Sequence, residues 1–503
     1  MTRLAGLLPM RIAVVAPLLA ACAVGPDFRR PNPPPVTGYT PEPLAPNTRA
    51  GVRPGPEAGE QQFIVGRDIP GEWWTLFHSP SLNALVARAL QANPSLEAAQ
   101  AALLQAQENT RAQEGAFFPN LQASFQAQRN KIATGALASP SSSAGAYYNI
   151  YAGQLTVGYV PDVFGLNRRT VESLGALAEN QRFQLEATYL TLTSNVAAAA
   201  VQEALFRAQI DATRKIIDID RQSVRLLQSQ LQLGSVARQD VLQQEAALAA
   251  AEATLPPLEK GLAQQRNLLA ALTGQFPSNQ PEETFTLDTL HLPDELPVSL
   301  PSRLVEQRPD IRAAEELLRA ANAAIGIAVA NRLPQFNLNT LIGTSPGQIA
   351  GLFGPGNGFF AITGAIAQPI FEGFTLYHRQ RAAEAATAQA EAQYRQTVIT
   401  ALQNVADTLR ALQSDADAVR TAQSAEQTAQ ASLDIARAQL RLGQVNNLVL
   451  LTAQQAYFQA LLAVVQAKAN RLADTVALFQ ALGGGWWNRN DVLPSSKPGL
   501  IPW

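Results

Sequence analysis

Three histidines and one cysteine are the residues of this chain best equipped for catalysis or metal binding, and their spacing argues against both. His78, His291 and His378 lie far apart with no ligand spacing between them, so each reads as a solvated or packed side chain. A single thiol, Cys22, excludes an intramolecular disulfide and a cysteine-cluster metal site. No nucleophile–base pair, phosphate-cradling loop or metal-spaced cluster occurs, so no enzyme activity, metal or cofactor is expected. The formal net charge of −2 argues against a nucleic-acid partner, which would want a basic stripe. Charged residues are 16% of the 503, below the roughly 25% of ordinary soluble domains. With Ala and Gln plentiful, that composition suits closely packed helices or a large oligomer.

The chemistry that remains is at Cys22. Arg3 and Arg11 precede and flank an apolar run, Ile12–Ala20, interrupted by Pro17 and too short to span a bilayer as a helix. Residues 1–21 therefore read as a secretory signal. Leu19-Ala20-Ala21-Cys22 resembles a bacterial lipoprotein box, in which the cysteine is lipidated and becomes the mature N-terminus. Ala23 follows it, not the aspartate that retains many lipoproteins at the inner membrane. The expected destination is the outer membrane, with the acyl chains of Cys22 in its periplasmic leaflet.

Residues 22–80 are crowded with Pro and Gly and predict an extended strap rather than a domain. From Ser81 the period is helical: Leu82, Leu85, Val86 and Ala89 share a face, and Leu96, Ala99, Leu103 and Ala106 continue it after Asn93-Pro94, until Pro119. Leu121, Ala123, Phe125 and Ala127 then alternate with Gln122, Ser124, Gln126 and Gln128. A polar stretch, Thr134–Ala146, leads to Tyr147, Tyr151, Leu155, Val157 and Tyr159 in one phase of a second strand. The hairpin has an apolar and a polar face. A half-buried soluble sheet would show this, and so would a membrane barrel; strand pattern alone leans to the soluble sheet. After Pro161–Gly165 a helical pattern runs to Leu233, with Leu185, Tyr189, Leu192 and Val196 in heptad-like rhythm, about 100 Å of helix at 1.5 Å per residue. A second pattern runs to Leu272, with a break or kink expected at Pro256-Pro257.

The programme then repeats. Asn93-Pro94 answers Arg308-Pro309 and Pro119 answers Pro334, both at a spacing of 215. Pro161 and Gly165 answer Pro369 and Gly373 at 208, Gly234 answers Gly443 at 209, and Ala271-Leu272 answers Ala481-Leu482 at 210. The slippage falls inside the hairpins, Gln335–Ile342 and Phe359–Ala367 in the second copy, where loop length is tolerant. The chain divides into a first repeat at 81–274, a connector at 275–301, a second repeat at 302–484 and a tail at 485–503. Each repeat is helix–strand–strand–helix–turn–helix, an α+β and mainly α architecture.

Four strands cannot close a barrel, and an open sheet edge cannot sit in lipid. Transmembrane strands would have to be pooled by several chains, and helices of this length must pack side by side. Secretion, lipidation, alternating strands and long helices point together to a membrane-anchored tube across the periplasm.

Cys22-Ala23-Val24-Gly25-Pro26-Asp27-Phe28, Arg30-Pro31, Trp73-Trp74-Thr75-Leu76-Phe77, Pro369-Ile370-Phe371-Glu372-Gly373, the two Leu-x-Leu-Gly turns and Ala481–Trp487 resemble the TolC-like outer-membrane efflux lipoproteins of the NodT branch. The resemblance covers nearly the whole chain after the signal. It implies a homotrimer with a barrel of twelve strands in outer-membrane lipid and a periplasmic tunnel of twelve helices. It also implies coupling to an inner-membrane resistance-nodulation-division (RND) pump through a periplasmic adaptor (membrane fusion protein), and it reverses the lean toward a soluble sheet.

Carried over residue by residue, Gly234, Ser235, Val236, Gly443, Gln444 and Val445 match the family positions that meet the adaptor. Asp240 matches an aspartate that helps hold the tip closed, with Arg441 and Arg238 the available cations and Asp240–Arg441 the expected contact. Val449 and Thr452 stand where some relatives carry acids, so an acidic ring there is not expected. The alternative function is the outer-membrane duct of a type I protein secretion system. A purely structural coiled-coil lipoprotein would not need matched strand hairpins, and a secreted hydrolase finds little support in isolated histidines.

Overall fold

A computed structural model describes residues 23–53, 55, 59–131 and 147–491. Cys22 and the whole Thr134–Ala146 stretch expected between the first two strands lie outside the described residues. In chain order the elements are β1 (Gln62–Val65), α1 (Pro80–Ala92), α2 (Pro94–Glu114), β2 (Asn120–Lys131), β3 (Tyr147–Tyr159), α3 (Leu166–Gln232) and α4 (Arg238–Leu272). Then come β4 (Glu295–Val298), α5 (Pro301–Gln307), α6 (Pro309–Ala330), β5 (Gln335–Thr344), β6 (Gly358–Ala367), α7 (Thr375–Arg441) and α8 (Asn447–Ala481). The duplication is metrical: α3 and α7 each have 67 residues, α4 and α8 each have 35.

The first break in each repeat is set by a proline, which pushes the residue before it out of the helical region. Asn93 (ψ 121°) and Arg308 (ψ 126°) occupy those positions. Both reach the far end of their repeat. Asn93 Nδ2 donates to the Leu272 carbonyl at 2.8 Å, and Arg308 Nη1 donates to the Ala481 carbonyl at 2.8 Å. Different side chains thus satisfy the corresponding helix C-terminus in each repeat.

The strands form one antiparallel sheet in the order β2-β3-β5-β6. Its register aligns Leu121 with Val157, Ala123 with Leu155, Leu155 with Ile342, and Ile342 with Phe360. Because side chains alternate, one face of all four strands carries Leu121, Phe125, Leu155, Val157, Ile342, Phe360, Ile362 and Ile366. The other carries Gln122, Ser124, Gln126, Gln154, Asn337, Asn339 and Thr363. Among the described residues the apolar face is largely uncovered, Leu352 lying over it only near Gly153; Phe360 and Ile362 are each 76% exposed. Strands β2 and β6 are both open edges.

Helix α3 packs against α2, α4, α6 and α8, while α7 packs against α6 and α8, so the repeats interlock. The heptad-like positions Leu185, Leu192 and Val196 are buried. Helix α4 runs through Pro256 and Pro257 without the break that is one of the two outcomes expected there, the other being a kink. The carbonyls freed by the two missing N–H groups belong to Glu252 and Ala253, both exposed, so water can satisfy them. The N-terminal segment is more than a loose strap. Its β1 pairs in parallel with β4, inside the expected connector, and Trp73, Trp74 and Phe77 are buried beside Phe479. Trp73 stacks on Phe479 at 5.2 Å between ring centroids. Arg471, fully buried on α8, anchors this segment by donating to Thr48 Oγ1 (2.9 Å), the Gly59 carbonyl (2.6 Å) and Gln61 Oε1 (3.2 Å).

Candidate docking and gating site

The two Leu-x-Leu-Gly turns join α3 to α4 and α7 to α8 with the same backbone. Gly234 and Gly443 have φ of +73° and +69°, the left-handed conformation that glycine adopts without steric cost. Gly234 N–H donates to Leu231 O (2.9 Å) and Ser235 N–H to Gln230 O (2.9 Å). Gly443 N–H donates to Leu440 O (3.0 Å) and Gln444 N–H to Gln439 O (2.9 Å). This paired pattern is the Schellman termination, which leaves few helix carbonyls unsatisfied. Gly234, Ser235, Gly443 and Gln444 are exposed, and Val236 and Val445 are half-buried. Leu233 and Leu442, just before the glycines, are 83% and 73% exposed. Covering such a leucine contributes about 1.5–3 kcal/mol, so the tips are apolar surfaces suited to a partner.

The tips share one end of the molecule, where Asn447 Nδ2 donates to the Asp240 carbonyl at 3.4 Å. The expected Asp240–Arg441 contact is not made among the described residues. Asp240 Oδ2 instead accepts the Ala237 N–H (3.2 Å), closing the start of α4, and Arg441 Nε turns back to the Arg437 carbonyl (3.4 Å). Arg238 is exposed at the first position of α4. Within the single chain, local capping engages one oxygen of the aspartate.

Farther along the helices lies a buried polar layer that the sequence analysis missed. Gln244 Nε2 donates to Asp220 Oδ1 (3.1 Å) and Gln454 Oε1 (3.4 Å), and Gln454 Nε2 donates to Ser223 Oγ (2.9 Å). Burial pushes the Asp220 carboxyl up to about 6, against the opposing pull of the Gln244 amide and the Arg437 charge. The signal was present: Asp220 interrupts the apolar series Ile216, Val224, Leu227 at spacings of 4, 4 and 3. A second site is Asp415 on α7, pushed up to about 7 by burial and by Asp474 on α8, with the Arg471 charge acting the other way.

At the opposite end of α3 the chain following Cys22 is held firmly. Val24 N–H donates to Phe164 O (3.1 Å), and Arg169, 5% exposed, donates to Val24 O (3.0 Å), Gly25 O (3.3 Å) and Asp27 (2.8 Å). Gly25 packs against Gly326 so closely that a side chain at either position would meet backbone. These contacts lie where β3 passes into α3, at the base of the sheet.

The outer membrane efflux protein family model matches residues 85–275 and 300–484, both repeats. The chain is 29% identical over 476 residues to the toluene efflux pump outer membrane protein TtgF of Pseudomonas putida, covering 93% of this chain and 95% of that one. It is 28% identical over 485 residues to the cation efflux system protein CusC of Escherichia coli, covering 95% and 98%. The solved outer membrane protein VceC of Vibrio cholerae superposes with a TM-score of 0.77 at 28% identity, covering 84% of this chain and all of that one.

Proposed function

The chain belongs to the outer membrane efflux protein family, and on that premise we propose that it is the exit duct of a tripartite pump. Three copies close one barrel and one tunnel, and the tips dock a periplasmic adaptor fed by an inner-membrane pump of the resistance-nodulation-division class. The observation that carries this reading is the sheet: four strands, apolar on one whole face, with both edges unpaired. Backbone groups at an open edge cannot sit in hydrocarbon, so copies must pair β6 of one with β2 of the next. Closure puts the apolar face on lipid and the amide-rich face on the lumen.

The load is set elsewhere. One relative carries toluene in its name and another cations, loads with no common chemistry, and the lumenal strand face here carries no charged residue; the cavity of about 480 Å³ at its base is lined there by amides, Asn120, Gln122, Asn337 and Asn339 among them. The duct therefore conducts what its pump delivers. Acylated Cys22 adds a lipid anchor beside the barrel, since the residues just after it are clamped at the base of the sheet.

The test is cross-linking in mild detergent together with cysteine pairs between the tips (Ser235→Cys, Gln444→Cys) and a periplasmic adaptor of a resistance-nodulation-division pump from the same organism. A trimer that cross-links to adaptor through the tips is expected. A monomer, or a trimer cross-linked only through the sides of its helices, overturns the reading.

A further inference from the structure

Charge is nearly absent from the sheet. Between Gly115 and Pro161, and between Leu333 and Phe371, the only charged residues are Arg129 and Lys131. Both fall in phase with Leu121, Phe125 and Ala127, on the apolar face rather than among the amides. The register sets Lys131 opposite Tyr147 and Arg129 opposite Asn149. The Arg129 guanidinium carbon lies 5.6 Å, and Lys131 Nζ 5.3 Å, from the centre of the Tyr147 ring. All three side chains are exposed.

Their height is set by the strand. Arg129 and Lys131 are eight and ten residues beyond Leu121, about 26 and 33 Å along a strand rising 3.3 Å per residue. A tilt of 35–45° reduces that to about 20 and 25 Å, the upper edge of an apolar band about 25 Å tall. Neither the strands nor their loops supply an acid to neutralise the pair. Cations at such an edge lay their stems on apolar surface and put their heads among lipid headgroups. A guanidinium and an ammonium side by side suit a phosphate.

We propose that Arg129 and Lys131, seated on Tyr147, bind the phosphate of an anionic lipid headgroup in the outer leaflet, with its acyl chains along Phe125 and Ala127. The site rests on reading the sheet as a bilayer-facing third of a barrel. A free phosphate or an anionic load passing through the duct would have no reason to be met on the lipid-facing phase.

The test is native mass spectrometry of the full-length protein in detergent with added bisphosphorylated lipid A, its dephosphorylated form, or inorganic phosphate. Wild type should retain the phosphorylated lipid roughly tenfold or more over Arg129→Gln/Lys131→Gln. The charge-conserving exchange Arg129→Lys/Lys131→Arg should retain it like wild type. Equal retention by wild type and the neutral variant, equal retention of the dephosphorylated lipid, or displacement by millimolar inorganic phosphate each overturns the proposal. The same spectra give the subunit count. A trimeric wild type that ignores the phosphates fails only this site, whereas a monomeric one fails the barrel and the site together.

Discussion

The side-chain amide of Asn447 donates to the main-chain carbonyl of Asp240, joining the first residue of α8 to the first turn of α4. Asn447 is 3% exposed although it stands beside two largely exposed turns. This bond locks one hairpin tip to the other. Asn447→Leu should free them: single channels in planar bilayers are expected to show a larger resting conductance than wild type. An unchanged resting level would mean that the tips are held by other contacts.

Asp240 acts first as a cap. Asp240→Ala removes the acceptor for the Ala237 N–H and should cost about 1 kcal/mol locally. Amide hydrogen exchange over 237–241 is expected to speed up several-fold, while Asp240→Asn, which keeps an acceptor, should change it less.

The buried Asp220 predicts a pH dependence of definite sign. Its folded pKa of about 6 lies above the ordinary 3.8, so the folded state holds the proton longer than the unfolded chain. Stability from this group is greatest below pH 4, falls as pH rises from about 4 to about 6, and is level above that. Asp220→Asn should flatten the slope of Tm against pH in that window and leave the slope above pH 7 unchanged.

Arg471 holds the N-terminal segment through three acceptors while fully buried. Arg471→Met leaves those acceptors and the nearby Asp415–Asp474 pair without a cation, a loss on the order of 3 kcal/mol. Limited proteolysis should then cut between Leu44 and Gln62 faster than in wild type, at an unchanged subunit count.

Much of the fold was legible because period and punctuation are local properties. Alternation in 121–127 is a strand whatever surrounds it, and glycine after Leu-x-Leu is a helix end whatever docks there. The tip residues followed from that repetition. Asp220 was missed although it stands in the apolar series of Ile216, Val224 and Leu227, because its burial depends on Gln244, 24 residues away, closing over it. Within the single chain Asp240 meets the Ala237 N–H, three residues before it at the helix start, a local contact to which sequence distance gave no weight.

By itself the sequence determined the duplication, the element types, the helix lengths and the two-faced strands, since each follows from residue order along one chain. The tertiary structure decided what those pieces face. It interlocked the repeats through α3 and α6, folded Trp73 and Arg471 into the core, and set four strands edge to edge with their apolar faces in register and largely uncovered. Burial and pairing depend on residues far apart in the chain, such as Arg471 and Thr48, and no local pattern records which of them will meet.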